Sequence, residues 1–90
     1  MDRDFFSSIS DRRDAFAKRR KIEDPLIEVT FHTGRVVILE TVIDAGEGWL
    51  QIEAHDALDE DTTLSLAVAY HQIASVQFIA RKHRMGRTGF

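Results

Sequence analysis

Histidines, carboxylates, hydroxyls and clustered cations are the side chains here that can do chemistry. His32 and His55 fall at outward positions of alternating stretches, as do Glu28 and Glu53. Imidazoles on neighbouring strands can hold a borderline ion such as zinc. That requires His32 and His55 to be adjacent, and no His-x-x-x-His or cysteine pair supports it, so exposed strand histidines are the stronger reading. The run Asp56-Ala57-Leu58-Asp59-Glu60-Asp61 is rich in oxygen ligands but lacks the alternation, central glycine and distal glutamate of a calcium loop. It reads as a solvated acidic loop. Ser65 and Ser75 with His71 supply a hydroxyl and a base without any spacing that joins them. No phosphate-cradling glycine loop or His-Glu-x-x-His is present. These residues point away from catalysis, and they imply neither metal nor cofactor.

Binding is better represented. Trp49 follows two glycines at a turn exit and Tyr70 sits at a second break, where aromatic rings can stack a base or grip a peptide but more often close the end of a barrel. Phosphate recognition also needs cations, and these are unevenly placed. Residues 1–25 carry a net +1, residues 26–80 a net −8 with Arg35 as the lone base, and residues 81–90 a net +4. The basic residues are Arg12, Arg13, Lys18, Arg19, Arg20 and Lys21 near the start, then Arg81, Lys82, Arg84 and Arg87. With about 100° between successive helical residues, the first six do not form one stripe. A solvated face, or packing against the acidic middle of the same or a neighbouring subunit, accounts for them better than RNA, since that acidic middle opposes phosphate approach.

The elements that position these residues follow from periodicity. Phe5, Ile9 and Phe16, with Ala15 beside them, predict a helix over residues 4–22, and Ser8 with Asp11 is a capping pattern inside it. Lys18-Arg19-Arg20-Lys21 suits its C-terminal end, and Pro25 stops it. From Leu26 the period is two. Ile27, Val29 and Phe31 alternate with polar residues, and Thr33-Gly34-Arg35 is a turn. Val36 to Ile43 is nearly continuous in apolar residues, as for a strand covered on both faces. A glycine turn leads to Trp49–His55, with Leu50, Ile52 and Ala54 on one face. Leu64, Leu66 and Val68 share a face of a fourth strand, and Val76 and Phe78 point inward from a fifth. Tyr70-His71-Gln72 is a short break between them. Short connections predict that consecutive strands pair antiparallel.

The sequence predicts one small domain, with a helix (1–25), five strands (26–80) and a basic tail (81–90) that is expected to be flexible. Hydrophobic residues at 43% and charged residues at 30% are globular proportions, not those of disorder. Without cysteine there is no disulfide, which favours a cytoplasmic home. The acidic start Met1-Asp2-Arg3-Asp4 is unlike a signal peptide, and no apolar run approaches the roughly 20 residues of a membrane span.

One helix followed by five short strands resembles the Sm-like fold. "IEVTFHTGRVVILETVIDAGEGWLQIEA" resembles that family's first motif, with Gly34 in its turn and Asp44 opening the next, and "TTLSLAVAYHQIASVQF" resembles its fourth strand, turn and fifth strand. Tyr70-His71-Gln72 echoes the Tyr-Lys-His segment of the bacterial host-factor branch. The Arg-Gly pair of the eukaryotic and archaeal second motif has no counterpart here. The likeness spans about residues 4–80. It implies a mainly β fold: a small, strongly bent, five-stranded antiparallel barrel of Sm-like or SH3 type, with an N-terminal α-helix. It also implies rings built by joining the fourth strand of one copy to the fifth of the next. Independently of family, strands free of lysine and proline leave edges open to pairing. The expectation is therefore a non-enzymatic, homo-oligomeric binding and assembly module, with Leu64, Leu66, Val68, Val76 and Phe78 along its edges. The alternatives are an Sm-like RNA binder and an acidic adaptor for a protein partner. Candidate nucleic-acid contacts are Trp49, Tyr70, His71, Arg81, Lys82, Arg84 and Arg87.

Overall fold

The computed structural model describes residues 2–80. The candidate contacts Arg81, Lys82, Arg84 and Arg87 lie outside the described residues. Two helices, α1 (Arg3–Ser7) and α2 (Ile9–Arg20), precede five strands: β1 (Leu26–Phe31), β2 (Val36–Ala45), β3 (Trp49–Asp56), β4 (Thr63–Ala69) and β5 (Ile73–Ile79). No helix among the described residues is long and apolar enough to cross a membrane.

The single helix expected over residues 4–22 is broken at Ser8. Its hydroxyl donates back to the carbonyls of Asp4 (3.0 Å) and Phe5 (3.2 Å), so the side chain competes with the helical ladder. Ser8 therefore closes α1 and makes no side-chain cap for α2. The true N-cap is Asp2, whose carboxylate accepts the Phe5 N–H at 3.2 Å. The break turns Phe6 into the core, where it is 1% exposed, beside the equally buried Ile9. Phe5 and Phe16 are half-buried and Ala15 is exposed. At its far end α2 stops on Lys21 in the left-handed region (φ 54°), with the Ile22 N–H returning to the Ala17 carbonyl.

The strands form one antiparallel sheet in the order β4-β3-β2-β1-β5. Their bounds follow the period-two reading closely, and alternate residues Ile27, Val29 and Phe31 and Leu50, Ile52 and Ala54 are buried as that period requires. Gly34, at φ +95°, makes the β1–β2 turn. Two expectations are corrected. First, burial on both faces of β2 is confined to Val37, Ile38 and Leu39. Register shifts between Leu39 and Thr41, and between Val42 and Asp44, bend the strand and send Glu40, Thr41, Ile43 and Asp44 outward.

Second, β5 does not pair with β4, its neighbour in sequence, but with β1 at the opposite edge. The chain crosses on a single 3₁₀ turn, Tyr70–Gln72. Four Cα steps reach at most about 15 Å. The two outer strands of a flat five-stranded sheet stand roughly 19 Å apart. The sheet must curl to be spanned. It is nonetheless open, because β4 and β5 are not hydrogen-bonded to each other.

The core lies inside this curl. Phe6 stacks on Tyr70 with ring centroids 6.0 Å apart, and both join Val29, Val37, Leu50 and Ile52 in one buried cluster. Truncating Phe6 leaves an aromatic-sized cavity at the point where helix and sheet meet. Phe6→Ala is expected to cost about 3–5 kcal/mol, read as a lowered denaturant midpoint in chemical unfolding.

Candidate interface: two open strand edges

An antiparallel ladder alternates between residues that face their partner strand and residues that face away. The Asp56 N–H donates to the Thr62 carbonyl at 3.1 Å, which sets the phase between β3 and β4. By alternation Leu64, Leu66 and Val68 bond to β3, while the N–H and C=O groups of Thr63, Ser65, Ala67 and Ala69 face the free edge. The Phe31 N–H donates to the Arg35 carbonyl at 2.9 Å, and the same alternation carried through β1 directs the backbone of Val76 and Phe78 to the free edge of β5. Among the described residues, both edges thus present unpaired backbone groups.

Apolar side chains flank them. Leu64, Leu66 and Val68 on β4, and Val76 and Phe78 on β5, point inward yet stay half-buried, because among the described residues no strand lies beyond them. Phe78 meets Phe16 of α2 at 5.9 Å between ring centroids. Between β4 and the end of β1 with its following turn lies a trough of about 360 Å³. Phe31, Leu66 and Val68 form its apolar floor, with His32, Thr33, Arg35 and Gln72 around its mouth. Nothing in the local sequence announced this trough, since it arises from the gap between strands that are distant in the sheet.

The two turn aromatics part company. Tyr70 is buried, and its hydroxyl donates to the Gly46 carbonyl at 2.6 Å. It ties the β4–β5 crossing to the β2–β3 turn and leaves no ring face for a base. Trp49 is 62% exposed, and His71 is exposed in the 3₁₀ turn. The remaining candidates do not converge. His32 lies in the turn beyond β1, not on the strand as expected, and its N–H donates to the Gln72 carbonyl at 2.9 Å. His55 Nδ1 is 2.8 Å from a Glu40 carboxylate oxygen, and β2 stands between β1 and β3. Ser65 and Ser75 stand on opposite edge strands.

The acidic loop organises itself. Asp56 accepts the Leu58 N–H at 2.8 Å, and Asp59 accepts the Asp61 N–H at 3.1 Å and the Thr62 hydroxyl at 2.6 Å. The Thr62 hydroxyl, then the Asp61 N–H, hold the Asp59 carboxyl below its ordinary range. Among the cations, Arg12 lies over the Phe5 ring at 5.0 Å and donates to Ser8 Oγ, and Arg13 is 3.9 Å from Asp14. Lys18, Arg19, Arg20 and Lys21 are exposed.

Comparison with protein-family models, with curated proteins and with solved structures finds no match to this chain.

Burial pushes the Tyr70 phenol above its ordinary 10.0, with Asp44 and Asp2 adding to the rise and Arg3 opposing it. The raised value means that the neutral form is favoured by folding. The corresponding stability is fully present below pH 10.0 and is lost as pH rises through the folded value. Tyr70 is the only tyrosine, so the tyrosinate absorbance of the folded chain should titrate above 10.0 and return to the ordinary value in denaturant. A folded-state midpoint at or below 10.0 contradicts the buried hydroxyl.

Proposed function

We propose that this chain is a non-enzymatic assembly and binding module: an Sm-like, strongly bent small barrel whose copies join β4 to β5. The observation that carries the reading is the pair of free edges, each with outward-facing backbone groups and half-buried apolar side chains beside them. A second copy laid along β4 would satisfy that backbone and cover Leu64, Leu66 and Val68, and its own Val76 and Phe78 would enter the trough. Neither strand carries lysine or proline, the usual guards of an edge. The helices are a weak guard, since α2 reaches β5 through Phe16 against Phe78.

A second reading, RNA binding, is favoured by the exposed Lys18, Arg19, Arg20 and Lys21 at the end of α2. It has the acidic strands against it, because phosphate approaches positive charge.

Proline tests the assembly reading without disturbing the fold. Ser65 and Ala67 are exposed, and their N–H groups face the free edge, so Ser65→Pro or Ala67→Pro removes a donor that β3 does not use. Light scattering on a sizing column should give a multiple of the 10.3 kDa chain for the parent and a smaller species for each variant, with unchanged circular dichroism. A monomeric parent refutes the reading. Absorbance at 260 nm across the parent peak, lost at high salt, would move RNA binding ahead of it.

A further inference from the structure

The strand register defines a second surface, on the side of the sheet away from the core. Because Leu50 and Ile52 are buried, Trp49, Gln51 and Glu53 leave β3 on the outer side. Directly opposed residues share a face, which adds Thr41 and Asp44 of β2 across from Glu53 and Gln51. Glu28 reaches the same face from β1, opposite Ile38, which in turn opposes His55. None of the outward strand positions carries lysine or arginine.

Several nearby carboxylates are already engaged. Glu40 holds His55, and Glu47 is 3.8 Å from Arg3. The side chains of Glu28, Asp44 and Glu53 have no hydrogen bond or ion pair among the described residues. Trp49 stands at the turn end of this face, diagonal to Asp44 and four residues along β3 from Glu53; it faces the small Ala69 on β4, and Ile43 is 49% exposed in the β2 bulge. An indole with a carboxylate beside it is suited to guanidinium and ammonium groups, which lie over the ring while the carboxylate neutralises them.

The chain contains a segment of that chemistry and leads it to this end of the sheet. β5 ends at Ile79, opposite Leu26. Glu28 faces Ile38, so Leu26 stands level with Glu40, and β2 continues from there to Ala45 beside Trp49 and Leu50. Three strand spacings across and about four residues along place Trp49 roughly 20 Å from residue 80. Residues 81–90 reach about 33 Å when extended. They hold Arg81, Lys82, Arg84 and Arg87 and no acidic residue.

We infer that the outer face of β2 and β3, centred on Trp49 with Asp44 and Glu53, is the docking surface for residues 81–90 of the same chain. The contact uses neither free edge, so it stands apart from the assembly reading. Docked there, the four cations of residues 81–90 are neutralised by the chain's own sheet, and an external anion has to displace the sheet to reach them.

Trp49 is the only tryptophan, and its emission reports on the site directly. The full-length chain is compared at low salt with a full-length variant carrying Arg81→Gln, Lys82→Gln, Arg84→Gln and Arg87→Gln, and with Asp44→Lys/Glu53→Lys. Both variants should show red-shifted emission and stronger acrylamide quenching. The parent should change likewise in 1 M salt, where screening acts within about 3 Å. Exchanging the charges, with the four tail cations made glutamate in the Asp44→Lys/Glu53→Lys background, should restore the parent spectrum. A general loss of fold would not be rescued by that exchange. Identical emission and quenching in the parent and the tail variant overturn the inference. So does a difference that grows with protein concentration, which would place the segment on a second copy.

Discussion

The architecture depends on a length constraint. Three residues, Tyr70–Gln72, connect the two outermost strands of a five-stranded sheet, and they are too few to cross it flat. Curling is thus imposed by the connection, and the register shifts in β2 supply the bend. Tyr70 secures the crossing from inside, through its ring against Phe6 and its hydroxyl on the Gly46 carbonyl. Gln72 secures it from outside, by accepting the His32 N–H at the end of β1. A turn held at both points delivers the chain to β1 and not back along β4.

The curl brings the edges towards each other without joining them. Their inward side chains are consequently sheltered on one side only, which is why Leu66 and Val76 are half-buried while Leu50 and Ile52 are completely covered. The helices deepen this asymmetry. α1 delivers Phe6 to the core, whereas α2 buries only its first residue, Ile9, and leaves most of its cations in solvent. Apolar opportunity is concentrated at the edges and charge at the helix end and the outer face, so the surfaces suited to different partners are kept apart.

Much of this was legible in the sequence wherever a local rule decides the outcome. Alternation located β1, β3 and the inward triplet of β4, and Gly34 marked a turn that needs a positive φ. The partner of β5 was not legible, because strand spacing suggests a hairpin and the crossing is decided by where a tyrosine ring is buried. The helix break was missed for a related reason. Ser8 fits a capping pattern, but its hydroxyl turned to the preceding carbonyls, and this brought in Phe6 in place of the Phe5 stripe. The trough was not legible either, since Phe31 and Leu66 meet only after the sheet bends.

The β1–β5 pairing also has a kinetic meaning. Phe31 and Ile73 are 42 positions apart, and Leu26 and Ile79 are 53. Non-local pairings of this kind slow folding, because chain entropy is lost before the contact rewards it. During synthesis β1 can pair with β2 while its other edge waits for nearly the whole described chain to emerge. For that interval the nascent protein exposes a strand that the finished fold covers, and protection of that strand falls to chaperones or to speed.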